Sequence, residues 1–522
     1  MSLLNALQNP DLYDHPVSDF EVIETHISWV LLTGTYAYKI KKPVDFGFLN
    51  FSTLDKRKFY CEEEVRLNRR LAPRLYIGVV KICGSEQQPR LNTDAPAIEY
   101  AVKMHQFPQQ AQLDRILAVQ GLTHHQVDEL AGIIAGFHQS IDVIEKSLPF
   151  GDPEHIAQPV QENFSQIRKL QHDKHIEQIL EHISQWSEQQ LKTLEQVFIQ
   201  RKQTGFVREC HGDMHLRNMA LIENEIVIFD CIEFNKNFYL IDVMSELAFL
   251  VMDLEDRQHA GLANRLLNKY LEITGDYNGL RVFNFYKVYR AMVRAKVDAL
   301  RCLQEQPGKK EYKSTYRDFT QYLQLANRYT EPVQPCLIIN HGLSGSGKTM
   351  GAYQLLEQLP LIILRSDIER KRIYDSETQT ASSNEIDKGM YSQDMTEKTY
   401  ARLEQLAAQL LDEGYSVVID AANLKTLQRQ RFIDLANTKV CPCLIMDYQS
   451  NIATLKQRIK KRAKAGQDAS DATVQVLEHQ VKTRQPLSAS ELDRTITIDS
   501  DKNPDPNALT RAIRDRLCFD NI

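Results

Sequence analysis

Two short stretches of the 522-residue sequence combine residue types and spacings that suit phosphate chemistry. HGDMHLRN, residues 211–218, places Asp213 and Asn218 at the D-x-x-x-x-N spacing, in which the aspartate accepts a hydroxyl proton and the asparagine binds Mg²⁺. GLSGSGKT, residues 342–349, fits G-x-x-x-x-G-K-[ST], a loop whose backbone N–H groups surround phosphates. The sequence therefore predicts a candidate phosphate-transfer site in each half of the chain.

The histidines of HGDMHLRN also allow a metal-binding hypothesis. His211, Asp213 and His215 alternate along the chain, and alternate residues share a face only in extended structure. A zinc site needs further ligands, and the downstream sequence contains no His-rich set that could supply them. The kinase interpretation is favoured because the apolar strand IVIF ends at Asp230, where a carboxylate can bridge Mg²⁺ to phosphates.

A kinase site of this kind also requires a lysine that holds the α and β phosphates and a glutamate that orients it. Lys39 lies in the predicted strand YAYKIKKP, and Glu64 lies in the predicted helix of residues 54–72. Neighbouring residues of the same type are alternatives for these two roles: Lys41, Lys42, Glu62 and Glu63.

The loop GLSGSGKT follows the apolar strand CLIIN and opens a predicted helix, which is the context that this motif requires. Lys348 is expected to reach the β and γ phosphates, and the Thr349 hydroxyl to bind Mg²⁺. The residues predicted to contact the nucleotide are Gly342, Ser344, Gly345, Ser346, Gly347, Lys348 and Thr349.

Polar residues that follow the next apolar runs complete the predicted C-terminal site. Asp367 follows the strand LIIL and can accept a hydroxyl proton, while Arg370 can hold an acceptor or a phosphate; the alternative is a helix N-cap followed by solvated basic residues. Asp420 ends the strand YSVVID and suits the surroundings of Mg²⁺. Arg458 and Arg462 share one helical face and could form a lid over ATP, or simply a solvated basic helix.

The elements that must position these residues fall into three parts. Residues 20–107 are rich in short predicted strands, and residues 108–330 are mostly helical; together they predict a domain over residues 1–330. The proline-containing segment YTEPVQPC predicts a linker. From Cys336 strands and helices alternate, which predicts a second domain over 336–522 with a parallel sheet between helices.

Composition narrows the possible functions. A net charge of −6 disfavours bulk nucleic-acid binding, although a nucleic-acid end stays a possible acceptor. The sequence contains no apolar run of the ~20 residues that a membrane span needs, and its N-terminal residues do not resemble a signal peptide. The nine cysteines contain no CxxC pair, which favours buried thiols in a reducing, cytoplasmic environment.

The motifs support two family resemblances. Residues 334–522, through GLSGSGKT, Asp367, Arg370 and the basic lid, resemble P-loop kinases of the polynucleotide kinase, zeta-toxin and gluconate kinase type. Residues 20–330 resemble the aminoglycoside phosphotransferase family, whose loop reads HGDxHxxN. That resemblance implies a structural role for Asp242, and IETHISWV departs from kinases by lacking a Gly-rich loop. The whole layout is similar to bacterial proteins described as bifunctional aminoglycoside phosphotransferase/ATP-binding proteins.

These resemblances imply an α/β and α+β multidomain chain, in which a bilobal kinase-like domain precedes a P-loop NTPase domain. The implied function is ATP- and Mg²⁺-dependent phosphate transfer at two sites. The acceptor would be a hydroxyl of a small molecule, a nucleotide sugar or a nucleic-acid end. The alternative is a nucleotide-binding regulatory protein, in which one domain is an ATP switch that controls the other domain or a partner.

Overall fold

A computed structural model describes residues 2–47, 49–171, 173–380, 392–465, 473–502 and 505–517, without the side chains of 2, 377–380 and 462–465. The chain forms two compact units. The first comprises residues 1–257 and 282–330, and the second comprises 258–281 and 331–522. A segment that lies within the kinase-like half of the sequence therefore belongs to the second unit.

The strands and helices are numbered in chain order. The strands are β1 (Glu21–Glu24), β2 (Ser28–Leu32), β3 (Tyr36–Lys41), β4 (Tyr76–Gly84), β5 (Pro89–Leu91), β6 (Ala97–His105), β7 (Val207–Glu209), β8 (Met219–Ile222), β9 (Glu225–Ile228), β10 (Leu240–Asp242), β11 (Leu337–His341), β12 (Leu361–Arg365), β13 (Ser416–Asp420), β14 (Cys443–Gln449) and β15 (Thr495–Asp499). The helices are α1 (Ser2–Ala6), α2 (Leu54–Asn68), α3 (Leu113–Gln120), α4 (His124–Ser140), α5 (Pro153–Ile167), α6 (Lys174–Thr193), α7 (Glu195–Gln203), α8 (Lys236–Tyr239), α9 (Val243–Asp256), α10 (Ala260–Thr274), α11 (Leu280–Gln304), α12 (Lys310–Thr330), α13 (Lys348–Leu355), α14 (Ser366–Thr380), α15 (Gln393–Asp412), α16 (Thr426–Thr438), α17 (Ile452–Ala465), α18 (Val474–Thr483), α19 (Ala489–Leu492) and α20 (Pro506–Leu517).

The first unit begins with a six-stranded antiparallel sheet in the order β1-β2-β3-β6-β4-β5. Side chains alternate between the two faces of a strand. On β3, Tyr38 and Ile40 therefore enter the apolar core of one face, whereas Lys39 and Lys41 point to the face on which Glu64 of α2 lies.

Helix α2 ends at Asn68, four residues before the end that the sequence predicted. The Asn68 side chain donates to Glu64 O at 2.8 Å and accepts from Cys231 N at 2.9 Å. Just beyond it, Arg70 donates to Glu209 O and Cys210 O. Apart from the bond to Glu64 O, these bonds tie the end of the helix to segments that are distant in sequence.

Two small antiparallel pairs lie within the mostly helical remainder of the first unit. β7 pairs with β10, and β8 pairs with β9. The HGDMHLRN stretch connects β7 to β8, and Asp230 lies just beyond β9. The two strand pairs therefore fix both ends of the HGDMHLRN stretch and the start of the segment that contains Asp230.

The second unit contains a five-stranded parallel sheet in the order β12-β13-β11-β14-β15. All five residues of β12 and of β13 are buried, as expected for strands covered on both faces. Helix α10 covers the outer edge of β12. Asn268 Nδ2 donates to Leu361 O and Asn268 Oδ1 accepts from Ile363 N, both at 2.8 Å, so the amide pairs with the edge strand as a neighbouring strand would.

This architecture confirms the predicted fold class: a strand-rich lobe followed by a helical lobe, and then a parallel-sheet P-loop domain. Within the described ranges, no helix is both long enough and apolar enough to cross a membrane. All eight cysteines whose surroundings are described are free thiols.

Candidate active sites

In the first unit, Lys39 joins two of the carboxylates singled out in the sequence. Its Nζ donates to Asp230 Oδ1 at 2.6 Å and lies 2.8 Å from Glu64 Oε1. Lys41 lies 2.6 Å from the other oxygen of Glu64 and also pairs with Glu233. The structure thus brings Lys39, Glu64 and Asp230 together, and it places one competitor, Lys41, on the same glutamate.

The other competing residues make surface pairs. Lys42 Nζ lies 2.6 Å from the exposed Glu24 carboxylate. Glu62 lies 3.9 Å from Lys58, and Glu63 pairs with Arg66 at 2.8 Å. Glu64, which is completely buried, is the glutamate of α2 that meets both lysines of β3.

The HGDMHLRN loop is folded around Asp213. Asn218 Nδ2 donates to Asp213 Oδ2 at 2.9 Å, and His215 Nε2 lies 3.3 Å from the same oxygen. Burial raises the pKa of Asp213, but the contact with His215 and the charge of Arg294 outweigh it and hold the pKa well below its usual range. Asp213 is therefore an ionised carboxylate with a cationic neighbourhood.

His211 supports this loop from within. Its Nε2 bonds to Phe229 O at 2.9 Å, and its Nδ1 accepts from Asp213 N at 3.3 Å. Burial lowers the pKa of His211, which agrees with a neutral ring that donates through one nitrogen and accepts through the other. Because both nitrogens are used in this way, the geometry does not support the metal-binding alternative.

The β8–β9 pair brings Asn218 and Asp230 to one end of the hairpin. Phe229 N donates to Asn218 O at 2.9 Å, which places the residue before Asp230 opposite Asn218. Asp230 itself has a φ of 64°, a left-handed conformation that side chains rarely adopt. Its side chain is 46% exposed, so a cation can reach it.

Glu246 of α9 positions the HGDMHLRN loop and was missed by the sequence reasoning. Its Oε1 accepts from His211 N at 2.6 Å and from Gly212 N at 2.7 Å, while Oε2 bonds to His138 Nε2 at 2.8 Å. Asp253, farther along the same helix, accepts from Leu216 N at 2.9 Å. A signal was available, because isolated carboxylates in the apolar helix VMSELAFLVMDL are unusual unless they are paired.

Asp242, whose role the family resemblance implied to be structural, is buried against Arg201. Arg201 donates to it through Nε at 2.6 Å and through Nη2 at 2.8 Å, and Asp242 also accepts from Met244 N at the start of α9. These contacts hold α7 and α9 together and leave Asp242 away from the Asp213 loop.

In the second unit, the GLSGSGKT loop connects β11 to α13. Gly342 has a φ of 148°, and a Cβ there would lie 2.7 Å from Tyr448 O. Gly345 has a φ of 83°, and a Cβ there would lie 3.2 Å from Ile459 of α17. Glycine is thus required at both positions for backbone conformation and for space. Lys348 Nζ donates to Gly342 O and Leu343 O, both at 2.9 Å.

A hydroxyl and a carboxylate meet beside this loop. Thr349 Oγ1 donates to Asp420 Oδ2 at 2.6 Å, and Asn340 Nδ2 donates to Asp420 Oδ1 at 3.1 Å. Ser346 Oγ is buried, and no described group bonds to it. An orphaned hydroxyl within a glycine cradle fits a bound phosphate, and the Thr349–Asp420 pair fits Mg²⁺.

The predicted acceptor-side residues lie at the start of α14. Asp367 is the second residue of this helix, and Ser366 separates it from the end of β12. Asp367 and Arg370 both lie near Tyr400, whose pKa is raised to about 12 mainly by burial. The two residues thus share one local environment at the carboxyl end of the sheet.

The basic helix α17 lies over the P-loop. Arg458 donates to Gly345 O at 3.4 Å and to Ser500 O at 2.6 Å. The side chain of Arg462 lies outside the described residues. Sequence reasoning missed Gln480 of α18, whose Oε1 accepts from Ser344 N at 2.9 Å; a glutamine on a polar helix carries no signal for such a contact.

Helix α10 also contributes charge near the P-loop strands. Glu272 lies 3.5 Å from Arg365 and accepts from Tyr353 of α13. Arg365 in turn lies 3.9 Å from Asp420. A residue from the kinase-like half of the sequence therefore joins the ionic network behind the Thr349–Asp420 pair.

With this geometry described, comparisons with known proteins can be stated. Residues 337–487 match the family model of an AAA domain, which agrees with the P-loop resemblance predicted for this part. An uncharacterised protein of Mycobacterium tuberculosis is 27% identical over 412 residues, which cover 78% of this chain and 79% of that protein.

Solved structures resemble each half separately. An amicoumacin kinase in complex with AMP-PNP and Ca²⁺ covers 62% of this chain and 92% of its own, with 13% identity and a TM-score of 0.39. A gluconokinase from Sinorhizobium meliloti covers 36% of this chain and 93% of its own, with 16% identity and a TM-score of 0.26.

Proposed function

We propose that this chain is an ATP- and Mg²⁺-dependent phosphotransferase with an active site in each unit. The observation that carries the proposal is the Lys39 cluster, in which one lysine contacts both Glu64 and Asp230. A lysine–glutamate pair beside a metal-binding aspartate, together with an Asp–Asn loop, is the set that phosphoryl transfer from ATP requires. Asp213 and Asn218 provide that loop.

In the first unit, each residue has a defined task. Lys39 holds the phosphates of ATP, while Asn218 and Asp230 hold Mg²⁺, which when bound neutralises and orients those phosphates. Asp213 accepts the proton of the acceptor hydroxyl as the oxygen bonds to the γ-phosphorus and ADP leaves. Because the pKa of Asp213 is low, its main effect is to orient the hydroxyl, and the proton moves late.

In the second unit, Lys348 and the loop N–H groups hold the phosphates, and Thr349 with Asp420 holds Mg²⁺. Asp367 serves as the base, with Arg370 beside it. Each acceptor is a hydroxyl of a small molecule, a nucleotide sugar or a nucleic-acid end; the net charge of −6 makes the last the least favoured. Both reactions consume ATP, which is consistent with a cytoplasmic location.

The test uses γ-labelled ATP and a metabolite extract. We expect Asp213→Asn and Asp367→Asn each to abolish a different labelled product, which would assign an acceptor to each site. Lys42→Met and Asp375→Asn are matched controls, since Lys42 pairs at the surface and Asp375 is exposed on α14. If Asp213→Asn retained every product, the catalytic role of the first unit would be refuted.

A regulatory function is the second candidate, and the placement of α10 favours it. Residues 258–281 belong to the second unit although the chain on both sides of them belongs to the first. Nucleotide binding at the P-loop could thus act on the first unit through continuous chain. In that case, Lys348→Ala would change the amount of the product that depends on Asp213, and Asp367→Asn would leave every labelled product unchanged.

A further inference from the structure

Beside the Lys39 cluster lies a second ionic pair to which none of the proposed catalytic steps assigns a role. Lys41 and Glu233 form it, and Lys41 also lies 2.6 Å from Glu64 Oε2. The side chains of Lys41, Glu64 and Glu233 are 2%, 0% and 4% exposed. The Phe51 ring packs beside this pair, with its centre 4.9 Å from Lys41 Nζ. Solvent and nucleotide therefore cannot reach this pair.

The accessible and inaccessible lysines have different partners. Lys39 is 13% exposed and contacts Asp230, which is 46% exposed. Under the proposed function, Lys39 would leave Asp230 for the phosphates, and Asp230 would turn to Mg²⁺. Glu64 would then lose no partner, since Lys41 holds its other oxygen throughout.

Glu233 follows Asp230 closely in sequence, and Lys41 lies on β3. Their pair therefore connects the metal-binding segment to the strand that carries Lys39. We propose that Lys41 and Glu233 are positioning residues: they form a permanent tether that holds Asp230 and Glu64 in register while Lys39 moves from Asp230 to the phosphates. The proposal rests on the proposed function of the first unit and deepens it.

Charge balance makes the tether testable by pairs of substitutions. Removing Lys41 alone leaves the buried Glu233 without its cation, which is costly in a protein interior. Removing Glu233 alone leaves Lys41 paired with Glu64. Removing both residues removes both charges of the pair. The double variant should therefore recover part of the ATP affinity that Lys41→Met loses.

The experiment measures ATP binding by calorimetry over a range of Mg²⁺ concentrations, in the full chain carrying Lys348→Ala so that the P-loop site does not contribute. We expect Lys41→Met to weaken Mg²⁺-dependent binding by about 10–100-fold, the usual effect of losing a residue that orients a metal ligand. Glu233→Gln should raise the Mg²⁺ concentration needed for half-maximal binding. Lys41→Met/Glu233→Gln should bind ATP more tightly than Lys41→Met.

Two further variants are measured in the same way: Lys39→Met tests the nucleotide site itself, and Lys42→Met is the surface control. If Lys39→Met binds ATP as the parent does, the proposed nucleotide site itself is wrong. If Lys39→Met loses binding while Lys41→Met and Glu233→Gln keep the parent's Mg²⁺ midpoint, the site stands and the tether is refuted. The tether would also be refuted if the loss of ATP affinity in the double variant equalled the product of the losses in Lys41→Met and Glu233→Gln. Should Lys41→Met misfold, Glu233→Gln alone decides through its Mg²⁺ midpoint.

Discussion

Replacing Asn268 by alanine tests whether α10 is an integral part of the P-loop unit. Asn268 is 1% exposed, and its amide makes two 2.8 Å bonds, to Leu361 O and from Ile363 N. Leu361 O and Ile363 N lie on the side of β12 that faces away from β13, at the edge of the sheet. Alanine would leave both of them buried without partners.

The expected cost follows from those lost bonds. An orphaned buried backbone group costs about 1–3 kcal/mol, so two of them should destabilise the local structure by about 2–4 kcal/mol after partial relaxation. At about 1.4 kcal/mol per factor of ten, amide exchange in Leu361–Arg365 should accelerate by roughly 30- to 1000-fold. Asp367 lies two residues beyond the end of this strand, so acceptor-side activity should fall as well.

Hydrogen-exchange mass spectrometry of the full chain measures this effect without assuming two-state unfolding of both units. Asn264→Ala is the matched control, because Asn264 lies on the same helix and donates to Leu356 O at 3.0 Å and Leu359 O at 3.3 Å, outside β12. It should change exchange in β12 by less than about tenfold. Equal exchange of β12 in Asn268→Ala and Asn264→Ala would refute the view that α10 completes the sheet edge.

Three further predictions concern the sites. Glu246→Gln should destabilise the first unit by about 2–3 kcal/mol in thermal unfolding at neutral pH, since the His211 and Gly212 amides lose a charged acceptor. Burial raises the pKa of Glu246, but His138 and the other donors outweigh it and hold the pKa below normal; the wild-type advantage should therefore be complete above the ordinary pKa of glutamate and shrink as the pH falls through the lowered pKa of the folded state. Gln480→Ala, with Lys39→Met blocking the first site, should tighten ATP binding about 2- to 10-fold by freeing the Ser344 N–H, as read by a fluorescent nucleotide. Thr349→Val should raise the Mg²⁺ requirement of P-loop turnover while leaving the fold intact, as checked by circular dichroism.

The sequence alone was sufficient for features that depend on local residue types. GLSGSGKT between an apolar strand and a helix predicted the P-loop, because wrapping a phosphate requires glycine at particular backbone conformations. The run YAYKIKKP, rich in β-branched and aromatic residues, predicted the strand that carries Lys39, and IVIF predicted the strand before Asp230. Periodicity and motif spacing carry such information because each element is built from neighbours in sequence.

Only the tertiary structure showed which of several residues of the same type lies in a site, and which residues distant in sequence contact each other. Lys39 and Lys41 share one face of β3, and their roles differ because Lys39 meets Asp230 whereas Lys41 is enclosed with Glu233. Likewise, no local pattern announces that Asn268 completes a sheet whose strands begin about seventy residues later. Burial, charge pairing and edge covering arise from segments that approach each other only in the folded chain, and for that reason local sequence patterns could not predict them.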